Sequence, residues 1–189
     1  MTRSLLSFGL AASLVALAAC DQAADGNAAA PAQTGEAKDA AGNKTIAASL
    51  DQNGKFFQAA KAAGLDATLA GPGPYTVLAP DDAAFGKLPA GAADTLMKPE
   101  SRNELTRVLT YHILPGTVLA EDIAKAIDNG KGKAVLATMG GSTLTATKDG
   151  GKVVLTDSAG GKARIVTGDQ RFSNGVVHSI DTVLMPSAS

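Results

Sequence analysis

The spacing of apolar residues changes along the chain near residue 134, from a helical repeat to an alternating one. Upstream of this point, apolar residues recur every three or four positions, which is typical of amphipathic helices. The clearest helix is predicted to begin at Ser101, because Ser101 and Glu104 fit a capping box. Its apolar stripe consists of Leu105, Val108, Leu109 and His112. Further short helices are predicted at residues 45–50, 56–65 and 121–127 and after Asp81.

Downstream of residue 134, alternating β-branched and polar residues predict short strands separated by glycine pairs. Each pair lies between β-rich runs and no helix follows, so the pairs are predicted to be hairpin turns rather than phosphate loops. Helices followed by an antiparallel meander predict the α+β class. The expected strands are 75–79, 134–138, 142–147, 152–156 and 163–167.

The last predicted strand follows the Asn174-Gly175 turn signal and ends before Pro186, which cannot donate to a sheet ladder. A period of two divides its residues between two faces. One face is mostly apolar and is expected to be buried in the core. It consists of Val176, His178, Ile180, Thr182 and Leu184.

The amino-terminal residues follow a different pattern. An uncharged apolar run from Leu5 to Leu17 follows Arg3 and is too short to span a bilayer comfortably. It leads into Leu17-Ala18-Ala19-Cys20, which resembles the bacterial lipobox. The resemblance implies that residues 1–19 are a lipoprotein signal peptide and that the Cys20 thiol receives a diacylglyceryl group. An ordinary signal peptide with an incidental cysteine is the alternative.

Residues 20–43 are rich in Ala, Gly, Asp and Gln and lack periodicity, so they are expected to form a disordered tether after the lipidated cysteine. Asp21 directly follows Cys20 and resembles the signal that keeps enteric lipoproteins in the inner membrane. The expected location is therefore outside the cytoplasm. The protein would be lipid-anchored to the inner or outer membrane, with the inner membrane slightly favoured by Asp21, and would face the periplasm or the cell surface.

Composition and charge narrow the range of partners. A net charge of -1 gives no reason to expect nucleic acid as a partner. The chain has one Cys, which excludes a disulfide within it, and two His, which leaves little material for metal binding. With no Trp and few other aromatic residues, the core is expected to consist of Val, Leu, Ile and Ala, with a few Phe.

The two histidines are the strongest candidates for chemistry. His112 and His178 could combine with Asp181 or Asp82 as a metal or acid–base site. However, Asp181 is expected on the opposite strand face from His178, and a metal site needs three or four convergent ligands. Structural, hydrogen-bonded histidines are therefore expected. Tyr111 is expected to be buried and hydrogen-bonded, the alternative being a hydroxyl presented to a partner.

Other candidate catalytic residues lack the required context. Ser142, Ser158 and Ser173 lie in or near turns, and none occupies a nucleophile elbow. Glu121 and Asp122 are adjacent on a predicted helix and do not face each other. Their first-turn position is explained by the helix dipole. No catalytic, cofactor or metal site is predicted, and the chain is not expected to be an enzyme.

Three stretches, in order, resemble the fasciclin domain. They are residues 73–85, from Gly-Pro-Tyr-Thr-Val-Leu-Ala-Pro to Phe85, residues 105–116, which include Tyr111-His112-Ile113-Leu114-Pro115-Gly116, and residues 174–186. The similarity covers about residues 44–186. The family usually has Phe-Ala-Pro-Thr where this chain has Leu-Ala-Pro-Asp, and Asp caps a helix as well as Thr does.

The resemblance implies a domain at residues 44–186, built as a wedge of two antiparallel β-sheets with several short helices packed on it. It places Tyr111, His112, His178 and Asp181 in structural motifs. The expected function is a membrane-anchored, non-enzymatic adhesion or interaction module of the bacterial cell envelope. Its partner would be an unidentified envelope or surface protein or glycan, in addition to the membrane reached through Cys20.

Two other functions remain open from the residues. The first is a binding protein for an apolar small molecule, such as a pigment or lipid, held between the helices and the wedge. The second is a hydrolase, which requires a cleft with a nucleophile and a positioned base. The sequence offers no such pair.

Overall fold

The computed structural model describes residues 43–187. Short helices form most of the first half of this range. Thr45 and Asp81 cap two of them, since Thr45 Oγ1 accepts from Ala48 N and Asp81 Oδ1 accepts from Ala84 N at 2.6 Å. Gly64 ends α2 in the left-handed conformation, with φ of 77°. The helices are α1 (Ile46–Ser49), α2 (Lys55–Ala63), α3 (Asp66–Ala70), α4 (Asp82–Gly86), α5 (Ala92–Leu96), α6 (Arg102–Tyr111) and α7 (Ala120–Asn129).

The predicted capping box at Ser101 is wrong. Ser101 ends a 3₁₀ helix, Pro99–Ser101, and its side chain makes no capping hydrogen bond. Its ψ of 9° departs from the extended conformation that a capping side chain requires. The 3₁₀ turn leads directly into α6 and its own bonds satisfy part of the helix start, including Ser101 N to Lys98 O at 3.0 Å.

The stripe predicted on α6 is buried as expected. Leu105 and Leu109 pack with Phe56, Ala59 and Ala60 of α2 in one apolar cluster. Val108 and His112 are also buried, and His112 is the residue that follows the helix. This helix pair covers one side of the sheet.

The strands form one mixed sheet in the order β2-β1-β7-β6-β5-β4-β3, which confirms the α+β class. Neighbours are antiparallel, except that β1 pairs with β7 in parallel, from Tyr75 with Gly175 to Pro80 with Ile180. The expectation of purely antiparallel sheets therefore needs correction at this pair. The strands are β1 (Tyr75–Pro80), β2 (Ile113–Pro115), β3 (Ala134–Ala137), β4 (Thr143–Asp149), β5 (Lys152–Thr156), β6 (Lys162–Phe172) and β7 (Gly175–Ile180).

Strand β6 connects the two halves of the sheet. Its first residues pair with β5 and its later residues pair with β7, with irregularities between Ile165 and Thr167 and between Thr167 and Gln170. Such bulges bend a strand and increase its twist. The glycine pairs form the predicted turns between strands; Gly150 and Gly151 both have positive φ.

The last strand is shorter than predicted and is buried on both faces. It ends at Ile180, because the chain then turns away from the sheet toward α6. Val177 packs with the helices α1, α2 and α6, whereas Ile180 packs in a second cluster with α7 and the meander. The two faces of β7 therefore contribute to different cores. Among the described helices, none has the length and apolar character needed to cross a membrane.

Candidate functional site

His112 is completely buried at the end of α6, and both of its ring nitrogens are used. Nδ1 lies 2.7 Å from Val108 O, and Leu184 N donates to Nε2 at 3.1 Å. A carbonyl can only accept and a backbone N–H can only donate, so these partners fix the neutral tautomer with the proton on Nδ1. Burial lowers the pKa of His112 to about 4, against smaller opposing effects of the Val108 bond and the charge of Asp157.

His178 is held in the same way on β7, with the roles of its nitrogens exchanged. Nε2 donates to Val118 O at 2.8 Å, and Nδ1 accepts from Asp169 N at 3.1 Å. Burial lowers the pKa of His178, although the bond to Val118 and the charge of Asp169 oppose the shift. Each histidine joins two backbone segments, and neither has a lone pair left for a metal or a substrate.

Tyr111 uses its hydroxyl inside the domain. The side chain is completely buried, its hydroxyl donates to Thr143 O at 3.0 Å, and it accepts from Ser158 N at 3.1 Å. These bonds join the end of α6 to the start of β4 and to the turn after β5. The contacts favour the structural interpretation of Tyr111 over a hydroxyl presented to a partner.

The structure does not bring Asp181 or Asp82 to the histidines. Asp181 Oδ1 accepts from Arg164 N at 2.8 Å, and Lys87 Nζ lies 3.6 Å from Oδ2. Burial raises the pKa of Asp181, but its bonds to Arg164 N and Thr182 and the nearby Lys87 outweigh it, and the pKa is lowered.

Asp82 Oδ1 accepts from Lys55 N at 2.9 Å and so caps the start of α2. Its partner is therefore a helix end and not a histidine. Among residues 43–187, no three or more His, Cys, Asp and Glu side chains are arranged to hold a metal ion.

The acids at the start of α7 lie in its first turn and make contacts that stabilise the helix. Asp122 Oδ2 accepts from Leu119 N at 3.1 Å, and Glu121 Oε1 lies 2.7 Å from Lys125 Nζ one turn later. The hydrogen bond from Lys125 and its charge lower the pKa of Glu121. The two carboxylates therefore have separate partners and do not form an acid–base pair.

Asn174 has hydrogen-bond partners more than 100 positions away, and the sequence revealed only its place in a turn. Its Oδ1 accepts from Ile46 N, and its Nδ2 donates to Leu69 O and Gly71 O, each at 2.8 Å. The residue is 6% exposed. It joins the turn that precedes β7 to α1 and to the end of α3.

Asp157 has a similar role at the other end of the meander. Its Oδ1 accepts from Ala159 N and Gly161 N, and its Oδ2 accepts from Met185 N at 2.9 Å. A carboxylate three residues before a glycine pair is a local signal for the turn. The bond to Met185 had no such signal, and it attaches the carboxyl-terminal segment to the sheet.

Thr76 provides a third internal connection, between β1 and the chain that leads into α7. Its buried hydroxyl donates to Gly116 O and accepts from Val118 N, both at 2.8 Å. Val118 O in turn accepts from His178. The hydroxyl therefore positions the carbonyl that fixes the His178 ring.

Replacing Thr76 with valine should lower the free energy of unfolding by about 1–3 kcal/mol. The change keeps the shape of the side chain but leaves Gly116 O and Val118 N without their partner. Urea denaturation followed by circular dichroism measures the effect. The matched control is Thr143→Val, at an exposed strand position, which should change stability by less than about 0.5 kcal/mol. Equal effects of the two variants would contradict this role of Thr76.

One apolar pocket between the helices is small. An apolar pocket with a cavity volume of about 10 Å³ lies between α2, α4, α5 and α6. That volume is enough for about one water-sized sphere. This pocket, which lies among the described residues, is too small to hold a pigment. Its lining includes Phe56, Phe85, Leu96, Leu105, Val108 and Val183.

Comparison with known proteins identifies relatives with a shared domain. The family model of the fasciclin domain matches residues 51–186. The chain is 36% identical over 147 residues to protein sll1483 of Synechocystis sp., a match that covers 78% of this chain and 71% of that protein. It is 34% identical over 116 residues to the cell surface glycolipoprotein MPB83 of Mycobacterium bovis, which covers 61% of this chain and 46% of that protein.

The fold is also similar to that of a solved structure. A FAS1 domain pair from the insect cell adhesion molecule Fasciclin I superposes with a TM-score of 0.52 at 24% sequence identity. The match covers 69% of this chain and 44% of that one. The similarity therefore concerns the arrangement of helices and strands described above.

Proposed function

The chain belongs to the fasciclin domain family, known in adhesion and cell-surface proteins, and from this we propose that it is a non-enzymatic adhesion module of the bacterial cell envelope. It is anchored by lipid on Cys20 and binds an envelope or surface protein or a glycan. Recognition occurs through surface complementarity, as in other protein interfaces.

One observation carries the non-enzymatic part of the proposal. The buried side chains that were candidates for a catalytic or metal site form hydrogen bonds to the domain's own backbone. His112 and His178 have both ring nitrogens occupied, and the Tyr111 hydroxyl donates and accepts internally. A nucleophile requires a base with a free acceptor within reach. The site contacts stabilise the fold and leave recognition to the outer surface.

The anchor is supported by the lipobox-like sequence that ends at Cys20, which lies outside the described residues. The name of the mycobacterial relative, a cell surface glycolipoprotein, is consistent with such an anchor. Two or more acyl chains give stable attachment, whereas one gives marginal attachment. Residues 20–43 would then connect the membrane to the domain, which faces the periplasm or the cell surface; Asp21 favours the inner membrane.

Replacing Cys20 with serine should release the protein from membranes, because serine cannot form the thioether to the lipid. In a Triton X-114 partition, the wild-type protein is expected in the detergent phase and the variant in the aqueous phase. The matched control is Asp21→Asn, which keeps the thiol and should remain in the detergent phase. A Cys20→Ser protein that stays in the detergent phase would refute the lipid anchor.

Intact cells that produce the protein test the adhesion role. Chemical cross-linking of intact cells is compared for the wild type and for a chain that lacks residues 51–186 but keeps the anchor. We expect the wild-type protein to cross-link to specific envelope or surface partners. These cross-links should be absent for the chain that lacks residues 51–186. Identical cross-links from both chains would show that the domain does not carry the interaction.

A further inference from the structure

A solvent-accessible recess with a volume of about 330 Å³ lies between the end of α2 and the start of α6. We call it the cationic recess, because it combines an apolar surface with two basic side chains. Its volume is in the range of small-molecule sites, which are mostly apolar with a few polar groups. Its lining residues are Ala62, Met97, Lys98, Pro99, Arg102 and Leu105.

The basic side chains of the recess lack carboxylate partners. Both Lys98 and Arg102 are exposed, and no ion pair within 4.0 Å involves either of them in the described part of the chain. The acids nearest in sequence, Glu100 and Glu104, do not line the recess. The recess therefore offers two positive charges that an anionic ligand can neutralise.

Arg102 also lies close to the neighbouring helix. A Cβ at Gly64 would come 2.7 Å from its Nη2, so the guanidinium lies against the backbone at the end of α2. The carbonyl end of a helix carries a partial negative charge that attracts a cation. The guanidinium therefore lies beside both the end of α2 and the recess.

The apolar surface of the recess continues toward the interior. Met97 and Leu105 line both the cationic recess and the apolar pocket between the helices. Methionine is flexible and adapts to irregular spaces, so movement of Met97 can extend the apolar surface inward. A simple inorganic anion would leave this surface unused, and a neutral apolar molecule would leave the charges unused.

We propose that the cationic recess binds a medium-chain carboxylate, that is, a fatty acid anion. Its carboxylate accepts hydrogen bonds from Lys98 and Arg102, and its alkyl chain lies along Ala62, Pro99 and Leu105 toward Met97. Arginine and carboxylate match in geometry and form strong charge-assisted bonds. The site is separate from the adhesion role and does not depend on it.

Titration of the full-length protein with decanoate tests the proposal, below the micelle concentration, at pH 7 and low salt, by isothermal calorimetry. We expect saturable binding of one decanoate, which weakens as salt is added because the charges are exposed. Decanol and decyltrimethylammonium have the same chain without the negative charge and should bind at least about tenfold more weakly, the ratio that corresponds to 1.4 kcal/mol.

Variants separate the site from non-specific adsorption. Lys98→Gln should weaken decanoate binding about tenfold, and Arg102→Gln should weaken it at least as much. Since Arg102 also contacts the end of α2, the melting temperature of both variants is measured, and Lys98→Gln decides the test. The matched control is Lys133→Gln, an exposed lysine outside the recess, which should bind as the wild type does. Absence of saturable binding, equal binding of decanol, or wild-type binding by Lys98→Gln would each overturn the proposal. None of these results affects the adhesion test.

Discussion

Replacing Asn174 with alanine should lower the free energy of unfolding by about 3 kcal/mol or more. The variant removes one acceptor and two donors, which leaves Ile46 N, Leu69 O and Gly71 O without their partner. Each buried backbone group that loses its hydrogen bond costs about 1–3 kcal/mol. Water that enters the space will recover part of this cost. Urea and thermal denaturation, followed by circular dichroism, measure the effect.

Two further variants give this experiment its controls. Asn174→Asp keeps an acceptor for Ile46 N but places its second oxygen against Leu69 O and Gly71 O, so it should also destabilise the domain. Asn103→Ala, at an exposed position of α6, should change stability by less than about 0.5 kcal/mol. An Asn174→Ala protein as stable as Asn103→Ala would show that these bonds contribute nothing net.

The helices that were predicted correctly have local signals. Thr45, Asp81 and Gly64 interact with backbone groups within four residues, so the information for these helix ends lies in the adjacent sequence. The strands of the meander are similar, because alternation and glycine pairs are short-range patterns. In contrast, α3 and α5 have five residues each, too few to produce a helical repeat.

The pairing of β1 with β7 had no local signal. These strands lie side by side and parallel, with Tyr75 opposite Gly175, although most of the domain separates them in sequence. A parallel pair requires a long crossover connection, which a pattern of neighbouring residues does not reveal. The same limitation explains why β7 was predicted to continue to Leu184. That residue instead donates from its backbone N to His112.

The polar residues of the interior also differ in how far the sequence predicts them. The burial of His112 followed from the helical stripe that begins at Leu105, and this prediction is confirmed. The partners of Asn174 and Thr76 could not be predicted, because Asn174 binds a residue 128 positions away and Thr76 binds one 42 positions away. An isolated polar residue indicates that it needs a partner if it is buried, but only the tertiary structure determines which one.

The stability of the wild-type domain should decrease as the pH falls from 6.5 to 4, and His112→Asn should remove much of this decrease. The folded pKa of His112 is lowered to about 4 by burial, whereas 6.5 is the ordinary value that applies to the unfolded chain. Between these values the unfolded chain binds a proton that the folded protein does not. The stabilising contribution is therefore complete above pH 6.5 and is lost as the pH falls toward 4, by about 3 kcal/mol at 1.36 kcal/mol per pH unit.

The hydrogen bonds of His112 also predict a loss of stability as the pH falls, independently of the pKa. Protonation would place a hydrogen on Nε2 of His112, which now accepts from Leu184 N, so two donors would face each other. Urea midpoints measured between pH 7.5 and 4.5 compare the wild type with His112→Asn, whose amide can donate and accept but does not titrate. At pH 7 the variant should be less stable than the wild type by about 1–3 kcal/mol, because the ring packing is lost.

The difference between the two proteins is the decisive quantity, since carboxylates that do not interact with His112 titrate equally in both and cancel. It should shrink steadily as the pH falls below 6.5. His178→Asn is the parallel case, because burial also lowers the pKa of His178, and its difference from the wild type should shrink in the same direction. A difference that stays constant with pH would mean that His112 gains its proton as easily in the folded protein as in the unfolded one. The segment that contains Leu184 would then have to detach from His112 without loss of the fold, which hydrogen exchange at the Leu184 amide would detect.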